Sequence, residues 1–212
     1  MAGTKICGLS TPGTVAAALD GGAAFLGFNF FPASPRYLTP DAAARLAPPA
    51  RGKATIVAVT VDPDDDLVDR LMATLKPDLI QLHGKEPPSR VREVSARAGV
   101  GVIKALPVSE SADLDAARQY ETVVDHLMFD AKPPSDATMP GGLGSSFDWT
   151  ILAGRRFARP YLLAGGLDPW NVGEALRQSG APIADVSSGV ERGPGIKDPL
   201  LISAFLEAVR RA

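Results

Sequence analysis

Eight short, almost unbroken apolar runs recur from one end of this chain to the other, with amphipathic stretches between them. No other feature limits the possible folds as strongly. The runs cover residues 4–7, 25–28, 55–61, 79–83, 102–105, 127–130, 161–164 and 184–187. Several are continuous rather than alternating in hydrophobicity, which is the pattern of parallel strands covered on both faces. Between them lie helical patterns. The clearest is 64–75, where Leu67, Val68, Leu71, Met72 and Leu75 share a face and Asp64, Asp65 and Asp66 suit the positive end of a helix. Asp198-Pro199 and Asp168-Pro169 read as a cap followed by a first helical residue. The first of these predicts Leu200, Leu201, Ala204 and Phe205 on one inward face; the second predicts Val172, Ala175 and Leu176 inward. Weaker helical patterns occupy 13–19, 40–46, 90–98, 114–120 and 149–154.

Eight strand–helix units in 212 residues is about 26 residues each, near the practical floor for a (β/α)8 barrel. The expected fold is therefore α/β, a compact (β/α)8 TIM barrel in one domain spanning 1–212. An open doubly wound sheet is the alternative; the count of eight strands and the lack of an early G-x-G-x-x-G favour the barrel. The Gly/Pro/Ser-rich stretch 132–146 is long enough for a mobile active-site loop.

Charge and composition exclude several classes. A net charge of −2 offers no basic stripe for nucleic acid. No apolar run reaches the length of about 18 residues that a membrane span needs, and the N-terminus does not read as a signal peptide. The single cysteine, Cys7, cannot form an intramolecular disulfide. These features together lead us to expect a cytoplasmic protein.

In a (β/α)8 barrel the chemistry sits where strands end. Cys7 ends the first strand, His83 the fourth and Asp130 the sixth, and Asp185 lies within the eighth. Gly165 and Gly166 follow the seventh strand; Ser187, Ser188 and Gly189 follow the eighth. Barrels often hold phosphate between those two loops, where backbone N–H groups approach an anion closely. Taken singly, each residue has a plain structural reading. A cysteine in a strand is usually a small core residue, an aspartate at a strand end is often a cap, and Arg36 alone reads as a surface cation. His126, just before a strand, is read as structural.

Ordered motifs sharpen the picture. They are Lys5-Ile6-Cys7-Gly8-Leu9; Gly27-Phe28 with Phe31 and Ser34-Pro35-Arg36; Gln81-Leu82-His83-Gly84; Asp130 with Gly141-Gly142, Gly144 and Phe147-Asp148-Trp149; Leu163-Ala164-Gly165-Gly166-Leu167 with Pro169 and Asn171-Val172; and Asp185-Val186-Ser187-Ser188-Gly189-Val190-Glu191 with Pro194-Gly195-Ile196-Lys197-Asp198. In this order the set resembles the phosphoribosylanthranilate isomerases of tryptophan biosynthesis. The chain departs from that pattern at Leu143, Lys85 and Pro133-Pro134, all in loops.

The resemblance implies an Amadori rearrangement of N-(5-phosphoribosyl)anthranilate by general acid/base catalysis, with no cofactor and no metal. It implies Asp130 as the acid and Cys7 as the base. An acid must keep its proton in the resting enzyme, which burial or a nearby negative charge favours. A thiol supplies some thiolate near neutral pH. The resemblance also implies that the guanidinium fork of Arg36 pairs with the anthranilate carboxylate. Phosphate is expected on Gly165, Gly166, Ser188 and Gly189, with His83 and Asp185 lining the substrate pocket. The partner is then a small phosphoribosyl molecule, with neither nucleic acid nor membrane, and the chain is a monomer or homodimer.

Three other readings stay open at this point. A histidine-pathway aminoaldose isomerase would carry an aspartate where Cys7 stands. An aldolase working through a lysine Schiff base would use Lys104, or Lys5, within a strand. A non-catalytic barrel would bind a phosphate ligand without turnover.

Overall fold

Each apolar run becomes a strand because its β-branched and aliphatic residues can be buried on both faces at once. The computed structural model describes residues 2–133, 141, 142 and 144–212. Its barrel strands are β1 (Gly3–Cys7), β2 (Phe25–Asn29), β3 (Thr55–Thr60), β4 (Leu79–Leu82), β5 (Gly101–Val108), β6 (His126–Ala131), β7 (Tyr161–Leu163) and β8 (Ile183–Val186). They are parallel, and they close in sequence order into a barrel when β8 pairs with β1. Closure rules out the open doubly wound sheet. Part of the expected loop 132–146, including Pro134 and Leu143, lies outside the described residues.

Two cores follow from the alternation of side chains along a strand. Residues of one parity fill the barrel: Val57, Val59, Leu79, Ile103, Met128, Leu162 and Ile183, with Cys7 among them. Residues of the other parity, such as Ile6, Leu26, Ile80, Leu127, Phe129 and Ala184, face the helices. Parity thus fixes which polar residues look into the barrel. Lys5 and Cys7 share it on β1, Gln81 and His83 share it at β4, and Met128 and Asp130 share it on β6.

The helices are α1 (Pro12–Asp20), α2 (Pro40–Leu46), α3 (Asp65–Thr74), α4 (Pro88–Ala98), α5 (Val172–Ser179) and α6 (Pro199–Arg211). In α3, Asp64 caps through Leu67 N–H at 2.8 Å, and Val68, Leu71 and Leu75 are buried as expected. Two crossovers differ in kind, because 3-10 turns over Ser111–Gln119 and Trp149–Leu152 stand where α-helices were anticipated. In the first, Asp113 accepts from the N–H groups of Ser109 and Glu110 and from the Ser109 hydroxyl, local bonds that compete with helix propagation.

Helix α5 starts a turn later than the Asp168-Pro169 pattern suggests. Asp168 Oδ1 accepts from the N–H groups of Trp170 and Asn171, tying these residues into a turn ahead of the helix. In α6 the cap is as read, with Asp198 accepting from Leu200 N–H. The inward face is not. Leu200 is 74% exposed, and the buried stripe is Ile202, Phe205, Leu206 and Val209.

Candidate active site

The C-terminal ends of the strands surround one cleft of about 810 Å³, counting the space open to solvent at its mouth. Cys7, Arg36, His83, Asp130, Gly165, Gly166, Asp185 and Ser188 all line it. Residues taken from six different strand ends or the loops after them therefore meet in one place. Gly189 is not part of the lining. A Cβ on Gly189 would stand 1.9 Å from the Leu167 carbonyl oxygen, so this glycine lets the backbone of one loop lie against the other. Gly165 and Gly166 have φ of +90° and +64°, a region that favours glycine. They also lie against the chain around Ala131 and Ser145 too closely for a side chain.

Asp130 is 6% exposed. Its Oδ1 accepts from Ala131 N–H at 2.9 Å, and its Oδ2 lies 3.1 Å from His83 Nε2. Gln81 Nε2 lies 2.9 Å from His83 Nδ1. The Gln81 amide thus holds the ring with Nε2 turned towards Asp130. Gln81 is fully buried.

On the opposite side, Cys7 stands beside a buried ion pair. Lys5 is 0% exposed and donates to Asp185 Oδ1 at 2.7 Å. Register places Lys5 opposite Asp185 across the β1–β8 seam, and Cys7 opposite Gly27 across β1–β2. A Cβ on Gly27 would lie 3.3 Å from both Lys5 Nζ and Cys7 Sγ, so the missing side chain leaves room for the ammonium and the thiol together. Burial pushes the Cys7 thiol above its ordinary value; Lys5 pulls it down, Asp185 pushes it up, and Lys197 and Arg36 pull it down, with the net effect upward. Burial also disfavours the Lys5 ammonium, but Asp185 and Cys7 outweigh this and raise it above the usual lysine value.

Arg36 is buried, not a surface cation. Its Nε and Nη2 bond the two oxygens of Glu191 at 2.7 and 2.9 Å, and Nη2 also reaches the Gly142 carbonyl at 3.2 Å. The fork expected to meet a substrate carboxylate is therefore already taken. Among the described residues, Nη1 is the guanidinium nitrogen left without a partner. Glu191 also receives Lys197, whose Nζ bonds the Ser187 carbonyl at 3.1 Å. Burial pushes the Glu191 carboxyl up, but Arg36 and Lys197 outweigh this and hold it below its ordinary value.

Glu191, Lys197 and Gln81 are site residues that the sequence reading quoted without a role, and Lys5 was weighed only as a Schiff-base lysine. The signal for Lys5 was present, since a lysine of the same parity as Cys7 in an apolar strand has to face the barrel interior. Lys104, the other Schiff-base candidate, has the opposite parity. It pairs with Glu86 at 2.7 Å away from the cleft, which removes Lys104 as a candidate, while Lys5 is engaged by Asp185. His126 stacks edge-on against Phe25 at the opposite end of the barrel, as a structural residue would. Among the described residues, no group of three or more His, Cys, Asp or Glu side chains could hold a metal ion, and no helix is long and apolar enough to cross a membrane.

Comparison with known proteins bears on the family and the fold. The family model described as N-(5'phosphoribosyl)anthranilate (PRA) isomerase matches residues 4–208. The chain is 69% identical over 211 residues to the N-(5'-phosphoribosyl)anthranilate isomerase of Caulobacter vibrioides, covering 99% of this chain and 96% of that protein. It is 53% identical over 208 residues to the corresponding protein of Mesorhizobium japonicum, covering 98% of this chain and 95% of that one. Among solved structures, phosphoribosyl anthranilate isomerase from Thermotoga maritima superposes with a TM-score of 0.89 at 31% identity, over all of both chains. Matched along nearly its whole length in both sequence and fold, this chain belongs to the phosphoribosylanthranilate isomerase family.

Proposed function

We propose that this isomerase converts N-(5-phosphoribosyl)anthranilate into 1-(2-carboxyphenylamino)-1-deoxyribulose 5-phosphate with Asp130 as general acid and Cys7 as general base. The reaction is an internal redox isomerisation. Asp130 protonates the furanose ring oxygen, the C1′–O bond breaks, and the amine nitrogen becomes an iminium. The Cys7 thiolate then removes the C2′ proton, and the released electron pair moves into the iminium. The resulting enolamine ketonises with a proton returned at C1′. The substrate's own nitrogen is the electron sink, so acid and base are the only groups the chemistry requires of the protein.

The rest of the cleft fits around these two groups. The His83 and Ala131 N–H groups receive the carboxylate that Asp130 becomes, stabilising charge that develops during the first step. Arg36 Nη1 meets the anthranilate carboxylate, and Asp185 faces the sugar hydroxyls. Phosphate lies at the turns of Gly165, Gly166 and Ser188, with Gly189 keeping the two loops in contact.

The observation that carries this reading is that a thiol from β1 and a carboxyl from β6 line the same cleft as the small-residue turns after β7 and β8. The test is turnover of phosphoribosylanthranilate, followed by loss of its fluorescence, in Cys7→Ser and Asp130→Asn. Each is expected to lose about 10²–10⁴-fold in kcat while still binding a product analogue. Wild-type turnover in either variant overturns that residue's role.

A further inference from the structure

A base buried in a barrel needs something to receive its negative charge. Cys7 is 8% exposed and water provides little stabilisation. The charged groups acting on it come from four elements. Lys5 lies two residues back on β1, and Asp185 lies across the seam on β8. Arg36 follows β2, and Lys197 belongs to the small hairpin of Glu191–Gly193 and Ile196–Lys197. Asp130 and His83 face the same cleft from β6 and β4. Glu191 is occupied between Arg36 and Lys197.

Among these groups, Arg36, Lys197, Lys5, Glu191 and Asp185 form a cluster of three cations and two carboxylates. A thiolate formed at Cys7 would lie among these cations. Lys5 is best placed of the three cations. Its ammonium is fully buried, is fixed by Asp185 at 2.7 Å, and shares with Cys7 the space that Gly27 leaves empty.

We propose that Lys5 is a positioning residue for proton abstraction, the counter-ion that holds the negative charge of Cys7, with Asp185 anchoring the ammonium against it. Lys5 touches neither the sugar nor the phosphate in this scheme and acts through the sulfur. Asp185 has two opposed effects: it fixes Lys5 in place, and it opposes ionisation of the thiol. This inference rests on Cys7 being the base, but its test reads the thiol directly.

Cys7 is the single cysteine of the chain, so alkylation by iodoacetamide reports one sulfur. Its rate is measured against pH in the wild type, Lys5→Met and Asp185→Asn, by mass gain, with the urea-unfolded proteins as reference. Lys5→Met is expected to shift the profile to higher pH and to slow alkylation about tenfold or more at pH 8, since thiolate fraction changes about tenfold per pH unit. Asp185→Asn is expected to shift it the other way, because the thiolate becomes the partner of Lys5. An unshifted Lys5→Met profile, or an Asp185→Asn profile moved in the same direction as Lys5→Met, overturns the proposal. Should Lys5→Met react at its unfolded rate, it has not folded, and the sign of the Asp185→Asn shift alone decides. Full activity in Cys7→Ser would remove the base assignment instead and leave the Lys5–Cys7 coupling standing.

Discussion

His83 Nε2 lies 3.1 Å from Oδ2 of Asp130, and the other ring nitrogen is held by Gln81. The two polar residues of β4 parity thus serve one carboxyl on β6. Replacing His83 by alanine leaves Asp130 with a single donor, Ala131 N–H. We expect kcat to fall about 10²-fold, the scale of losing one preorganised donor, with KM changing much less. Steady-state kinetics separate the two effects. A change confined to KM would place His83 on the substrate instead.

Arg36 is held by both carboxylate oxygens of Glu191. Arg36→Met removes the proposed substrate contact and one partner of a buried carboxylate. The expected result is a KM raised about 10–100-fold, the worth of a charged hydrogen bond, together with reduced stability. A variant with wild-type KM would show that the anthranilate carboxylate binds elsewhere.

Glu191 makes stability depend on pH. Its carboxyl is held below the ordinary value of 4.5 because the bonds from Arg36 and Lys197 outweigh the effect of burial. A depressed carboxyl contributes stability that is present above its unfolded value and lost as pH falls through the folded one. Thermal unfolding between about pH 5 and pH 3 should therefore fall more steeply in the wild type than in Glu191→Gln. Parallel curves would mean that the pairing contributes nothing to the folded state.

Gly189→Ala tests the contact between the loops after β7 and β8, the proposed phosphate site. The new methyl would sit 1.9 Å from the Leu167 carbonyl oxygen, which belongs to the backbone and cannot rotate away. Overpacking of this kind costs about 1–3 kcal/mol, or a Tm lower by about 2–12 °C in a chain of this size. KM for the phosphorylated substrate should rise as the loops separate. An unchanged Tm would mean that the loops part without cost.

Much of this could be read from residues in order. The eight runs located every barrel strand within a few residues, because burial on both faces demands unbroken apolar sequence, but not the small hairpin of Glu191–Gly193 and Ile196–Lys197. Strand ends located Cys7, His83 and Asp130. Other features required the third dimension. Lys5 and Asp185 are 180 positions apart, and their pairing depends on the seam register that only the closed sheet defines. The engagement of Arg36 by Glu191 likewise joins two loops across 155 positions. The buried stripe of α6 lies about one residue from the expected one, and Leu200, in the first turn, faces solvent. Apolar spacing alone cannot tell a first-turn residue from one packed deeper in the helix.

The seam between β1 and β8 has a consequence for synthesis as well as for catalysis. The aspartate that anchors the ammonium beside the sulfur is synthesised 180 positions after that lysine. Until then an unpaired lysine and an apolar strand edge lie open on an incomplete ring, as a target for chaperones and for misassociation. Activity is therefore expected only once Asp185 has been made and the seam has closed, with no partial function in nascent chains that stop before it.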